Sequence, residues 1–422
     1  MRNCFKNFYK FLFICAILLF GLNHIHAQGY VFKKEESKKL QAFDLKSYGY
    51  AKSLPTSYSL RKYAPTPQYQ EGETCVGWAL GYAAMSISYN RLFNTTQSIL
   101  KDILAFDPLF TYGLLEDNEQ ASCDSATSFY SAINQMLSLG CKRLIMPPAF
   151  MACDDSPKMH LDQFSNAFIP IEVYSLDLEK ANTQLEKINL LKQFLSDGTP
   201  LTFGMSTPKS FIGNKGKEIG KGSNLWTPQK NETFIGGHAM CLLGYNDSKY
   251  GGAFEIMNSW GISYGDEGFI WIKYADFVNY IDEVVLIDVT KPRKGNCRIG
   301  DCDNGYSNII LNKDLIYEGI MENGKPNEFG VIIWPDNTFY IGGWKNGKRH
   351  GIGLYYEKDE LYKVEFNEDE LIQGEVLGFA HKIDKNKVVI DKIQSLIVKK
   401  GVLVKYEISL DLTDDINLKK IN

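Results

Sequence analysis

Apolar positions along the chain follow several different periods. Residues 11–22, FLFICAILLFGL, form an unbroken apolar run of twelve. From Cys75 onward, Val76, Ala79, Leu80, Ala83 and Ile87 recur at helical spacing, which predicts a helix starting at the cysteine. Gly77 and Gly81 lie on another face of that helix, where a second element could come close. The stretch after Cys123, SATSFYSAINQMLSLG, predicts another helix. Short apolar runs at 239–243, 254–257 and 269–273 predict strands. Beyond residue 300 a repeat appears. Tyr317, Tyr340 and Tyr362 are 23 and 22 residues apart, Asn323-Gly324 returns as Asn346-Gly347, and Gly330 returns as Gly353. Glycines permit tight turns and regularly spaced aromatics can stack, so the repeat predicts stacked β-hairpins. The third unit, from Tyr362, lacks the glycines. Residues 373–422 alternate apolar and polar, as in VLVKYEISLDL, and predict one more small β unit.

The apolar run at the start follows Arg2, Lys6 and Lys10 with no acid among residues 2–10, and Ala27 offers a small residue before Gln28. That layout predicts a secretory signal peptide over residues 1–27 and a secreted or periplasmic protein. Twelve apolar residues are too few for a transmembrane helix, which needs about 20, so no such anchor is expected. Ile25 departs from the small residue usual two positions before the cleavage site. Removing residues 1–27 leaves 395 residues and takes the formal net charge from −4 to −7. No Lys/Arg-rich block stands out, which argues against nucleic acid as a partner. The length predicts two or three domains. Seven cysteines remain: Cys75, Cys123, Cys141, Cys153, Cys241, Cys297 and Cys302. Most thiols of an exported chain pair, and an odd number leaves at least one over.

Cys75 heads a predicted helix, where unpaired N–H groups and the helix dipole favour thiolate. His238, one of four histidines after residue 27, follows two glycines and opens an apolar strand. Asn258 stands at the end of another strand, in NSWG. Singly, each has an ordinary structural explanation: a small buried hydrophobe, a core histidine, a turn residue. Together they supply a nucleophile, a base and a group to orient the base.

The order Cys…His…Asn and its local contexts resemble the papain-like cysteine peptidases. CVGW at a helix start, GGHA before a strand with a Gly-Tyr turn, and NSWG followed by YGDEGF carry the likeness, which covers residues 55–290. LPTSYSLRKYAPTPQYQ resembles the opening of the mature domain, and INLLKQFLSDGTPLTFGM the helix-then-strand step before the histidine. The resemblance implies an α+β fold of two lobes, one helical around the Cys75 helix and one β-rich carrying His238 and Asn258. It implies hydrolysis of protein or peptide substrates through a Cys75–His238 pair, Asn258 orienting the imidazole and Trp260 shielding that bond. No cofactor is implied, and no metal, since HExxH and paired CxxC sets are lacking. By the same resemblance Cys123 pairs with Cys153. Cys241, on a core strand next to His238, is expected to be free. Cys141 has no obvious partner.

Some positions depart from the family pattern. Its oxyanion glutamine lies six residues before the nucleophile. Tyr69 stands there in this chain, with Gln70 five before and Gln68 a weaker candidate. A one-residue deletion would still let Gln70 serve beside the Cys75 N–H. Gly72 replaces a cysteine of the family, and no long inhibitory segment precedes the domain. Two other classes compete: a Cys–His acyltransferase or amidase, against which Asn258 argues, and an inactive peptidase-fold binding protein acting through the repeats.

The repeats, fullest in YIGGWKNGKRHGIGLYY, resemble MORN repeats. A short β-spacer fixed to the enzyme is expected of them ahead of surface or protein binding. The expected layout is a signal peptide at 1–27, an N-terminal segment at 28–53, the peptidase domain at 54–290 and a linker at 291–306. The repeats follow at 307–372 and the β-rich tail at 373–422. Cys297 and Cys302 are close enough to close a small loop. The linker's Lys, Arg and Gly content predicts a repeat module whose core is largely its own.

Overall fold

The computed structural model describes residues 29–49, 53–70, 72–113, 123, 125–139, 141, 143, 171–212, 224–289, 295–312, 314–358 and 360–377. It also describes strands at 381–384, 387–390, 393–399, 402–409 and 417–420. The expected signal peptide and Cys153 lie outside the described residues.

Residues 75–92 form one helix, α1, running through Cys75–Gly77, Trp78–Met85 and Ser86–Leu92. Its middle section is wound as a π-helix, a form often found at functional sites. The predicted apolar face is buried: Val76, Leu80 and Ile87 are fully covered. The glycine face also has a structural cause. Helices α2 (Ser98–Ile103) and α3 (Pro108–Gly113) follow, and α3 lies against Gly77 and Gly81. A Cβ on Gly77 would stand 2.1 Å from the Pro108 carbonyl oxygen. Helix α4 (Phe129–Leu139) completes this lobe, with Phe129, Ala132, Ile133 and Met136 in the same core.

The second lobe is a mostly antiparallel sheet in the order β2-β8-β3-β5-β6-β7-β4, with β1 paired to β5. The strands are β1 (Ser57–Ser59), β2 (Ile171–Ser175), β3 (Leu201–Pro208) and β4 (Leu225–Trp226). The others are β5 (Phe234–Asn246), β6 (Ala253–Met257), β7 (Phe269–Lys273) and β8 (Ile281–Val289). The unbroken apolar run on β5 reflects burial on both faces. Ala239, Cys241 and Leu243 join the core of α1, while Met240, Leu242 and Tyr245 join a second core. That second core packs helix α5 (Gln184–Ser196) through Leu190, Leu191, Phe194 and Leu195. Strand β5 starts five residues earlier than the apolar run suggests, so His238 lies within the strand and not at its head.

The last third forms a second sheet, a meander from β9 (Cys297–Gly300) to β16 (Glu370–Leu377) with each strand beside its sequence neighbours. Asn323-Gly324 and Asn346-Gly347 have positive φ at both residues, the geometry that hairpin turns with Asn-Gly adopt. In the third unit Glu368 and Asp369 adopt the same positive φ without glycine, and the Asp369 carboxylate accepts from Arg349 at 2.8 Å. Tyr317 and Tyr340 each lie on a glycine of the other strand of their own hairpin. A Cβ on Gly330 would meet the Tyr317 ring, and one on Gly353 the Tyr340 ring. Trp344 packs edge-on against both tyrosines.

Two expectations about this half are corrected. The stretch 291–306 is not a free linker: β9 lies inside it, and β10 (Gly305–Ile310) begins within it. Nor is the repeat core its own. Ile299, Tyr306 and Ile320 share the core of α1, and Leu100 of α2 and Leu104 just after it pack with Val331, Phe339, Ile341 and Leu361. Between the two halves lies a buried ion pair, Arg143 to Glu318 at 2.7 Å, with 4% and 7% of the side chains exposed. Tyr89 of α1 and Asn308 of β10 donate to the other carboxylate oxygen at 2.8 and 3.0 Å, and Tyr306 also donates to Glu318. The Arg143 guanidinium lies over the Tyr89 and Phe106 rings. Cysteine and tyrosine spacing reveals none of this, because the contacts join residues up to 229 positions apart.

Cys297 and Cys302 form a disulfide, Cys123 is disulfide-bonded, and Cys75, Cys141 and Cys241 are free and buried. Among the described residues no helix is long and apolar enough to cross a membrane.

Candidate active site

Three elements converge between the lobes. Cys75 sits in the first turn of α1, His238 on β5, and Asn258 directly after β6. All three are buried, with Cys75 and His238 fully covered. His238 Nε2 lies 2.8 Å from Asn258 Oδ1. The Ser259 backbone N–H donates to the same Oδ1 at 2.8 Å. That amide contact fixes which end of the Asn258 side chain faces the imidazole, so Nε2 carries the proton and donates. Nδ1 is then the unprotonated nitrogen, and it is buried without a hydrogen-bond partner. The backbone N–H of Ala239, the next residue after His238, donates to Cys75 Sγ at 3.4 Å, which ties the thiol to the histidine strand. Trp260 stacks on the imidazole at 4.7 Å and 18°, and Tyr264 meets Trp260 edge-on.

Gln70 is buried, while Gln68 is exposed and bonded locally to Thr66. The Gln70 Oε1 accepts from the Ser259 hydroxyl at 2.6 Å and its Nε2 donates to the Gly72 carbonyl at 3.0 Å. One N–H of that amide is left, two residues from Gly72 and five from the nucleophile. Gly72 has a φ of +58°, and a Cβ there would stand 2.2 Å from the Cys123 carbonyl oxygen. A glycine fits this close approach where the family carries cysteine.

Burial dominates the electrostatics. It pushes the Cys75 thiol up to about 12, against the smaller effect of the Ala239 N–H. It pushes His238 down to about 4, against the Asn258 bond. The helix N-terminus alone favours thiolate, but here the loss of water outweighs it, and both groups rest uncharged.

Sequence reasoning missed two residues here. Tyr30 lies beside this pair, and its hydroxyl donates to Glu283 of β8 at 2.9 Å. Neither residue belongs to a recognisable motif; the only sequence signal was a segment before the domain with no assigned role.

Comparison with known proteins follows this geometry. The family described as MORN repeat matches residues 317–339 and 340–358. A peptidase C1-like protein of Acanthamoeba polyphaga mimivirus, itself uncharacterized, is 29% identical over 140 residues, 32% of this chain and 43% of that protein. The MORN family model thus covers two repeats of the hairpin sheet, and the α+β arrangement of two lobes ahead of it is the one the sequence led to expect. Among solved structures, it is similar to xylellain, a cysteine protease from Xylella fastidiosa. That match has 22% identity and a TM-score of 0.47, and it covers 63% of this chain and 96% of xylellain. Procathepsin B S9 from Trypanosoma congolense is 14% identical, with a TM-score of 0.45 over 64% of this chain and 87% of that one. The chain is also similar to human Alsin, 32% identical over 74 residues, 16% of this chain and 4% of Alsin. The chain thus spans less than half the length of the curated relatives it matches.

Proposed function

We propose that the protein is an exported thiol endopeptidase. Cys75 is its nucleophile, His238 its base and then its acid, and Asn258 the group that orients the imidazole. Nδ1 of His238 takes the thiol proton, the sulfur attacks the scissile carbonyl carbon, and the amine leaves with the proton from His238. Water, deprotonated by the same nitrogen, then releases the acyl group and restores the thiol. Gln70 and the Cys75 N–H stabilise the oxyanion. The observation that carries this reading is the 2.8 Å bond from His238 Nε2 to Asn258 Oδ1, with Nδ1 left unpaired. Export rests on the character of residues 1–27, and it agrees with the disulfide between Cys297 and Cys302. The repeats serve as a rigid extension of the helical lobe.

A second reading, a binding protein on an inactive peptidase scaffold, has one observation in its favour: the Gln70 amide is already engaged by Gly72 and Ser259. Cleavage of an unstructured protein separates the two. Wild-type cleavage that disappears in Cys75→Ala supports the peptidase. Absence of cleavage by the wild type, with the fold intact, supports the scaffold.

A further inference from the structure

The helix that carries Cys75 is tied near both ends. At its start, Cys75 Sγ accepts from the Ala239 N–H of β5 at 3.4 Å. Near its other end, the Tyr89 hydroxyl donates to Glu318 of β11 (Ile316–Glu322) at 2.8 Å. Phe93, the residue after α1, lies under the Arg298 guanidinium of β9 at 4.4 Å. The sheet of the second lobe thus holds one end of α1, and the repeat sheet holds the other. Between the two ties, Trp78–Met85 is wound as a π-helix. A π-helix bonds i to i+5 and an α-helix i to i+4, so rewinding this section as α-helix would turn Cys75 and Tyr89 relative to each other about the axis. Each tie opposes that turn.

Glu318 is a fixed point. Its Oε1 accepts from Arg143 Nη2 at 2.7 Å, from Arg143 Nε at 3.1 Å and from the Tyr306 hydroxyl. Its Oε2 accepts from Tyr89 and from Asn308 Nδ2 at 3.0 Å. Arg143 is placed in turn by the Leu104 carbonyl. An acceptor held from this many directions in a buried setting fixes its donor closely. Both Glu318 and Tyr89 are buried. Tyr82 and Asn90 of α1 bond instead to the nearby Thr66 and Tyr63 carbonyls, at 2.7 and 2.9 Å. Tyr89 is therefore where α1 is hydrogen-bonded to the repeats, and Ile299, Tyr306 and Ile320 join the core that also holds Cys75 and Val76.

We propose that Tyr89 and Glu318 are positioning residues for Cys75: the repeat sheet pins the far end of α1 and holds the helix in the winding that aims the thiol at Nδ1 of His238. The use of that thiol rests on the peptidase reading. Neither residue touches the reacting atoms, and both act through the helix. Such aim matters, because a misplacement of about 1 Å can cost on the order of a hundredfold in rate. The π-wound section is the element with two arrangements, and the tie at Glu318 favours one of them.

The test is Tyr89→Phe in the full chain, which removes the hydroxyl and keeps the ring against Phe93 and Phe106. Two rates are read at pH 7: cleavage of fluorescein-labelled casein, and alkylation of Cys75 by iodoacetamide, resolved by peptide mass spectrometry. Turnover should fall about tenfold with KM within about twofold of wild type, and alkylation should fall about tenfold as the thiol loses its base. Lost packing alone would lower the melting temperature and speed alkylation by loosening the core. Tyr317→Phe is the control: it removes another buried hydroxyl of the repeat sheet, bonded to the Ile320 carbonyl at 2.8 Å, and should leave both rates within about twofold. Glu318→Gln should slow both rates, and adding Tyr89→Phe to it should change little further, because the two act through one bond. Additive losses overturn the shared route; should Glu318→Gln not fold, Tyr89→Phe decides alone. Both rates within about twofold of wild type in Tyr89→Phe, or faster alkylation, overturn the positioning role. A wild type that cleaves nothing, while Tyr89→Phe still slows alkylation, would sink the peptidase reading and leave the positioning standing.

Discussion

At the scale of single residues, the site depends on groups held neutral by burial. Burial pushes the Cys75 thiol up to about 12 and the His238 imidazole down to about 4, while the helix N-terminus favours thiolate. If the pair is activated when substrate binds, cleavage by the wild type should follow a bell in pH, with its acid limb set by the thiol. A rate climbing steadily to pH 9 would mean that Cys75 is not activated. Gln70→Ala should cost about 10²–10³ in turnover, the usual loss of one oxyanion donor, and Gln68→Ala little. Mild effects in both would place the oxyanion on other groups. Cys75, His238, Asn258 and Trp260 were legible in the sequence because each carries its signal in its immediate neighbours. Tyr30 and Glu283 were not, because their contact joins positions 253 apart and neither stands in a distinctive local pattern.

At the scale of elements, periodicity served well where one face of an element decides its fate. It placed α1 and α4 and the strands at β6 and β7. It found the hairpins through Asn323-Gly324 and Asn346-Gly347. It failed at β9 and the start of β10, because within 291–306 only Ile299 and Tyr306 join a hydrophobic core and the rest is Lys, Arg, Asp, Asn, Gly, Cys and one Pro, so the pattern reads as loop. The same stretch brings the repeats onto α1 and α2, across the Arg143–Glu318 pair. Burial raises the Glu318 carboxyl, but Arg143 and the Tyr306 and Tyr89 hydroxyls outweigh it and hold the group below its usual value of about 4.5. A carboxyl depressed in the folded state stabilises the fold above its unfolded value, and that stability drains away as pH falls below about 4.5 and through the folded value. The urea midpoint of the wild type should fall over that window. Glu318→Ala should cost about 3–5 kcal/mol at pH 7, because it leaves the Arg143 charge buried and unpaired. A loss under 1 kcal/mol would mean that the interface admits water.

At the scale of the whole molecule, the two halves behave as one body. A chain ending near Lys291 would strip the cover from Leu100, Leu104 and Arg143 and remove half of a shared core. The separateness expected of the linker fails on this point. The truncated chain should be insoluble or should melt well below the full-length protein, as measured by scanning calorimetry. A soluble fragment with unchanged melting temperature would contradict the shared core. The N-terminal segment belongs to the same body, since Phe43 packs on Phe194 and Tyr174 and the Ser175 N–H donates to the Gln41 carbonyl at 2.8 Å. One chain thus supplies both lobes and the sheet that braces the helical one.

The central claim, that the fold turns Cys75 into an activated nucleophile through His238, is tested most directly by a thiol-directed peptide epoxide on the wild-type protein. An adduct should form on Cys75 in the folded protein and not after denaturation, and adding His238→Ala should slow it by at least about a hundredfold, the scale of general-base assistance. Equal labelling in the folded, denatured and His238→Ala proteins would contradict the account.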